Sequence, residues 1–198
     1  MITKNDMAYT KAQIKNMITV TFMMAFFTVF WAIFMLISFL PNIFAIILFA
    51  FFIILSVYLI IKGIKFNHDA QALPDEIKQD ADIRAEKRWN IIFITQCVAI
   101  CICCALLGIF DKYGYIIPVI MLINGLHYFP LGMIYRTPIH FVVAVPVTAI
   151  SLLTMIFLPP SNFISTAGGI SSLAGASSTS ILGVYMIFFV KNISGLSV

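Results

Sequence analysis

Apolar residues run in six long blocks along the chain, at 17–40, 42–61, 89–110, 115–134, 138–158 and 170–190, parted by short polar, Pro or Gly clusters. Roughly 20 apolar residues carry a helix across the hydrocarbon core of a bilayer, and each block is about that long. The pattern predicts an all-α fold: a polytopic transmembrane helical bundle of six spans forming one domain over residues 1–198. Blocks one and two are joined only by Leu40, Pro41 and Asn42, which makes them a tight antiparallel hairpin. The start of the sixth is the least sharply marked, because SNFISTAGG before it is small and polar but uncharged.

The one substantial polar stretch lies at 62–88. It reads as a short loop to Pro74 and then a helix continuing into span three. Pro74, Asp75 and Glu76 suit a helix start, since Pro tolerates the first turn and carboxylates favour the positive end of the helix dipole. Asp80 and Arg84 stand at i,i+4, where opposite charges attract. Before span one, about sixteen polar residues precede an apolar run longer than the ~7–15 residues of a signal-peptide core, so it is expected to be a retained span.

Composition agrees with a membrane solvent. Hydrophobic residues make up 62% of the 198 positions and charged ones 10%, against about a quarter in soluble domains; mean hydropathy is +1.05. Net charge is +4, and its placement informs more than its size. Lys4, Lys11 and Lys15 precede span one; Lys62, Lys65, Lys78, Arg84, Lys87 and Arg88 separate spans two and three; Arg136 separates four and five; Lys191 follows six. On the other side only Lys112 appears, beside Asp111. Basic loops stay inside, so both termini are expected in the cytoplasm and the protein in the cell's inner (cytoplasmic) membrane. That distribution also sets nucleic acid aside as a partner.

At membrane depth the polar groups are all neutral. No Asp, Glu, Lys or Arg falls inside any of the six blocks, which weighs against an ion-coupled carrier, since these need an intramembrane carboxylate. Candidate binding or pore residues are Gln96 in span three, Asn124, His127 and Tyr128 in span four, and His140 in span five, with Thr148 nearby. Asn124, His127 and Tyr128 fall on one helical face. Pro130 strips a partner from the Leu126 carbonyl and Pro146 does so for Val142, so spans four and five are expected to bend side by side. Gly125 lets a neighbouring backbone approach, and His140, near the helix end, is expected to meet water or headgroups.

Four cysteines, Cys97, Cys101, Cys103 and Cys104, crowd about two turns of span three, too close for a disulfide framework. They are expected to be reduced, buried packing residues. Span six carries two rows of small residues, Gly168, Ser172, Ala176 and Ser180 on one and Gly175, Thr179 and Gly183 on the other, which let helices pack backbone to backbone. H-E-x-x-H, G-x-S-x-G and glycine-loop phosphate motifs are missing, so no catalytic residue, metal or cofactor is expected and the chain is not read as an enzyme.

The stretch from KRWNIIFITQ through NGLHYFPLG to VAVPVTAI resembles a group of small six-span bacterial integral membrane proteins of unassigned function that carry a G-L-H-[FY]-x-P-L segment, here Gly125, Leu126, His127, Tyr128, Pro130 and Leu131. The resemblance supplies no substrate or catalytic residue; it implies an acidic residue and small apolar ones where this chain has Gln96 and the cysteines. The leading expectation is a small-solute or ion transporter or channel with a polar site at the fourth and fifth spans. The alternative is a membrane accessory or stress-response protein that transports nothing and acts through protein partners. Candidate partners are the lipid bilayer, further copies of the chain, and a cytoplasmic protein at 62–88. Reporter fusions after Lys87 and Arg136 are expected to report the cytoplasm and one after Lys112 the opposite side; a Lys87 fusion reporting outside the cell would invert this topology.

Overall fold

The computed structural model describes residues 11–71, 80–135, 137–159 and 162–194, which form six long helices and one short 3-10 turn, with no strand among them. They are α1 (Lys11–Phe39), α2 (Ile43–Gln71), α3 (Asp80–Ile109), α4 (Ile116–Tyr135), α5 (Pro138–Phe157) and α6 (Thr166–Ser194). All six are long and apolar enough to cross a membrane. The helix start expected at Pro74, Asp75 and Glu76, together with Lys4, Lys78, Arg136 and the side chains of Asp80 and Lys191, lies outside the described residues.

The surface is that of a protein dissolved in lipid. Phe44, Ile54, Ile61, Ile109 and Phe157 are among many large apolar side chains left exposed, while Thr28, Ser56, Ser151, Ser171 and Ser172 are fully buried. Water would not tolerate that much exposed apolar surface on a soluble monomer. A bilayer favours it, and drives the polar groups inward, where they find partners within the protein. Six such helices make this a multi-pass membrane protein.

α6 is the hub and touches α1, α2, α4 and α5. Its glycines explain how one helix meets four neighbours. A Cβ on Gly169 would strike Phe39 and Ser38 of α1, one on Gly175 would strike Trp31 of α1 and Met121 of α4, and one on Gly183 would strike Leu59 of α2 and Met24 of α1. Along α1 these partners descend as the α6 numbers climb, so α1 and α6 are antiparallel. Along α4 they climb together, from Ile117 at Gly168 to Met121 at Gly175, so α4 and α6 are parallel. Gly125 against Thr148 and Gly132 against Phe141 make α4 and α5 antiparallel, and Gly63 against Phe22 does the same for α1 and α2. Every contact fits helices that alternate in direction along the chain, as repeated crossings of one membrane require.

Hydrogen bonds follow the same seams. The Thr28 hydroxyl of α1 lies 2.8 Å from that of Thr179 in α6, with Ser180 Oγ 3.4 Å from Thr28, and Thr154 of α5 lies 3.1 Å from Ser171 of α6. The small-residue rows of span six therefore serve several helices.

Two expectations need correcting. α2 does not give way to a loop after Ile61 but continues to Gln71, because Leu59, Gly63, Phe66 and Ala70 keep one stripe buried, with Leu59, Phe66 and Ala70 packed in a cluster with Ile14 and Ile18 of α1. Lys11 Nζ donates to the Gln71 carbonyl and ties the two ends together. The cysteines are not buried: Cys97 and Cys101 are exposed and Cys103 and Cys104 half-buried. α3 packs on α4 and its following turn through the Trp89, Ile92 and Gln96 side, which leaves the cysteine side without a neighbouring helix among the described residues. A double-mutant cycle on Thr28→Val and Thr179→Val is expected to return a coupling of ~0.6 kcal/mol, the average for interhelical hydrogen bonds in a membrane, when unfolding is followed by steric trapping; additive effects would remove the bond from the α1–α6 seam.

Candidate functional site

Each helix carries a neutral polar residue close to its own midpoint: Thr28 in α1, Ser56 in α2, Gln96 in the apolar part of α3, Asn124 and His127 in α4, Thr148 in α5, and Ser178 and Thr179 in α6. With a rise of ~1.5 Å per residue, they lie in one thin layer at the level where a bilayer is driest. Some of them satisfy one another. Gln96 Nε2 of α3 donates to Asn124 Oδ1 of α4, and Asn124 Nδ2 lies 3.8 Å from Met121 Sδ. Thr28 and Thr179 pair as above. Tyr128, 5% exposed, turns away from Asn124 into the core, where its hydroxyl meets Ser178 of α6.

Others are left over. Among the described residues, Gln96 Oε1, His127 Nδ1, Thr148 Oγ1 and Ser56 Oγ are buried without a hydrogen-bond partner, and all four belong to this middle layer; Ser172 Oγ of α6 is a fifth, outside it. An unmade hydrogen bond on a buried group costs ~1–3 kcal/mol, and proteins keep few of them.

His127 follows Asn124 by one turn, so it lies on the side of α4 that meets α3. Its ring is near the Asn124 backbone carbonyl, yet Nδ1 has no partner in hydrogen-bonding geometry. The ring of Tyr128 is next to it, centroids 5.2 Å apart, and that of His140 lies 6.5 Å beyond Tyr128. Thr148 sits on another side of α4, against Gly125. A Cβ there would come within 2.5 Å of Thr148 Oγ1 and 2.9 Å of its backbone N, which is why α4 and α5 can touch at their midpoints.

Of the residues singled out from sequence, Gln96 and Asn124 are joined directly, His127 stands one turn along α4 from Asn124 with its ring near the Asn124 backbone, and Tyr128 and His140 form an aromatic pair on the inner side. The single face expected for Asn124, His127 and Tyr128 is thus divided between α3 and α6. His140 is a correction: it is 3% exposed rather than wet, with Nδ1 2.6 Å from Thr137 Oγ1. The first turn of α5 is covered by α4, so closeness to the helix end does not mean contact with water. Pro130 and Pro146 both lie inside helices that continue through them. Sequence reasoning passed over Thr28, Ser56 and Ser178. Their signal was positional, a hydroxyl at the centre of each apolar block.

No group of three or more His, Cys, Asp or Glu among the described residues could hold a metal ion. The groove between α5 and α6, about 260 Å³ and lined by Ile150, Leu153, Thr154, Phe157, Leu158 and Ile170, is apolar and stands apart from His127.

A family profile described as "Family of unknown function (DUF7010)" matches residues 83–189, more than half of the chain, from the start of α3 through most of α6. No curated protein and no solved structure matches the chain. The matched region holds Gln96, Asn124, His127, Tyr128, His140 and Thr148.

Gly125→Ala is expected to destabilise the protein by ~1–3 kcal/mol, the usual range for overpacking, because its new methyl group meets the Thr148 backbone. Gly132→Ala meets only the movable edge of the Phe141 ring and is expected to cost less. Thermal unfolding in detergent checks the order; equal losses would mean that α4 and α5 do not touch closely at Gly125.

Proposed function

The chain belongs to the DUF7010 family of unknown function, and we propose that it is a small-solute transporter or channel whose path runs past the middle layer of α3, α4 and α5. The observation that supports this reading is the set of buried, unpartnered polar atoms there, above all Gln96 Oε1 on α3 and His127 Nδ1 one turn along α4 from the Asn124 that Gln96 bonds. Hydrocarbon penalises such atoms, and a passing solute relieves the penalty. Binding near mid-depth also lets one site be reached from either side of a membrane. In this reading His127, Gln96 and Asn124 line the path, while Tyr128 and His140 brace α4 against α5 and α6. The protein sits in the inner membrane of a bacterial cell with both termini in the cytoplasm, supported by the Lys and Arg distribution and by helices that alternate in direction. No step involves covalent catalysis or a cofactor.

A second reading, an accessory or stress-response protein that works through partners, is favoured by the outer face of α3, where Cys97, Cys101 and Ala105 form an exposed small-residue row with no helix against it among the described residues. Crosslinking followed by affinity capture separates the two, because only the accessory requires a stoichiometric partner.

His127→Ala is expected to reduce the flux of purified protein in proteoliposomes to that of empty vesicles, over a panel of glycerol, urea, potassium and chloride, while the protein stays monodisperse in size-exclusion chromatography. Unchanged flux in the folded variant would remove His127 from the path.

A further inference from the structure

We propose that the seam between α3 and α4 at Gln96, Asn124 and His127 binds a small uncharged molecule bearing both a hydrogen-bond donor and an acceptor, an amide or a polyol. The inference rests on the transport reading only for its physiological meaning; the binding itself follows from the chemistry of the seam. Gln96 Oε1 is an acceptor without a donor, so its ligand must supply an N–H or O–H. A neutral imidazole offers one donor and one acceptor nitrogen, and Nδ1 of His127 is unused. Asn124 and His127 stand one turn apart, with Cβ atoms ~5–6 Å from each other, a distance that a molecule of a few heavy atoms bridges.

Charge argues against an ion. From Trp89 to Phe110, and throughout α4 and α5, there is no Asp, Glu, Lys or Arg. A cation stripped of water needs several oxygens or a counter-charge, and the seam has one free carboxamide oxygen. An anion would face that same oxygen. A neutral donor–acceptor molecule matches both free atoms and brings no charge to mid-depth.

The packing of α3 provides a way in. Every other helix buries part of its span, but α3 buries none of its most apolar stretch among the described residues and is held to the bundle chiefly by α4. The Gln96–Asn124 hydrogen bond ties it there. A solute can part this junction without disturbing the α6 hub, and in doing so offers Gln96 a second partner.

The test uses full-length protein in lipid nanodiscs with 15N-labelled histidine. The chain has three histidines, His68, His127 and His140, and His127→Phe assigns the signal of interest. Titration with glycerol or with urea below denaturing concentration is expected to move the ring resonances of His127 and leave those of His68 and His140 in place. Potassium chloride at equal osmolarity is expected to move none of them. Gln96→Leu, or Gln96→Met if the first variant folds poorly, is expected to cut the His127 shift at least threefold. A His127 signal that ignores both neutral probes, follows the salt equally, or is indifferent to Gln96 would overturn the proposal. Proteoliposome flux read in parallel keeps the two claims separate: a shift without flux removes transport and leaves the binding site, whereas flux without a shift removes the binding site and leaves transport.

Discussion

Hydrocarbon offers no hydrogen bond, and that constraint governs this molecule from its helices to its candidate site. Each helix satisfies its own backbone, so the interactions that hold helices to one another are side-chain hydrogen bonds and close packing. α6 illustrates the second. With glycine, serine or alanine at most buried positions from Ala167 to Gly183, it approaches Trp31, Met121, Leu59 and Phe39 closely enough to join four helices. Its hydroxyls then bond to the helices that its small size admits, Thr179 to Thr28 and Ser171 to Thr154.

The same constraint gives the leftover atoms their meaning. A polar group at the middle of an apolar helix that bonds to a neighbour is a fastener. One that bonds to nothing is a cost that packing alone leaves unrecovered. Gln96 is both at once, donating through Nε2 to Asn124 and holding Oε1 free. Its helix, α3, is the least embedded in the bundle among the described residues. The junction that carries two of the unused atoms, Gln96 Oε1 and His127 Nδ1, therefore belongs to the helix whose apolar stretch is least buried among the described residues, and that coincidence joins the architecture to the proposed function.

Much of the fold was legible because apolar blocks and their interruptions are a direct record of what a bilayer requires. Leu40, Pro41 and Asn42 mark the first turn plainly, and the lysines after Ile61 mark the end of the apolar block of α2. They do not mark the end of the helix, because the buried stripe of Gly63, Phe66 and Ala70 continues at helical spacing beneath the charges. Lateral register was not legible. Nothing local reveals that Thr28 meets Thr179, that Tyr128 turns toward Ser178 instead of joining Asn124, or that His140 is covered. These depend on which helices are neighbours, a property of the assembled bundle. The cysteines were misread for the same reason: small apolar residues usually pack inward, but here α4 occupies the other side of α3.

The account stands on the middle-layer atoms facing something other than protein. A density map of the full-length chain in lipid nanodiscs, fine enough to place side chains and ordered non-protein atoms around α4, tests this most directly. Density between α3 and α4 within hydrogen-bonding distance of both His127 Nδ1 and Gln96 Oε1 is the predicted result. A dry contact, with that imidazole nitrogen bonded to a neighbouring helix and no room beside it, would contradict the account.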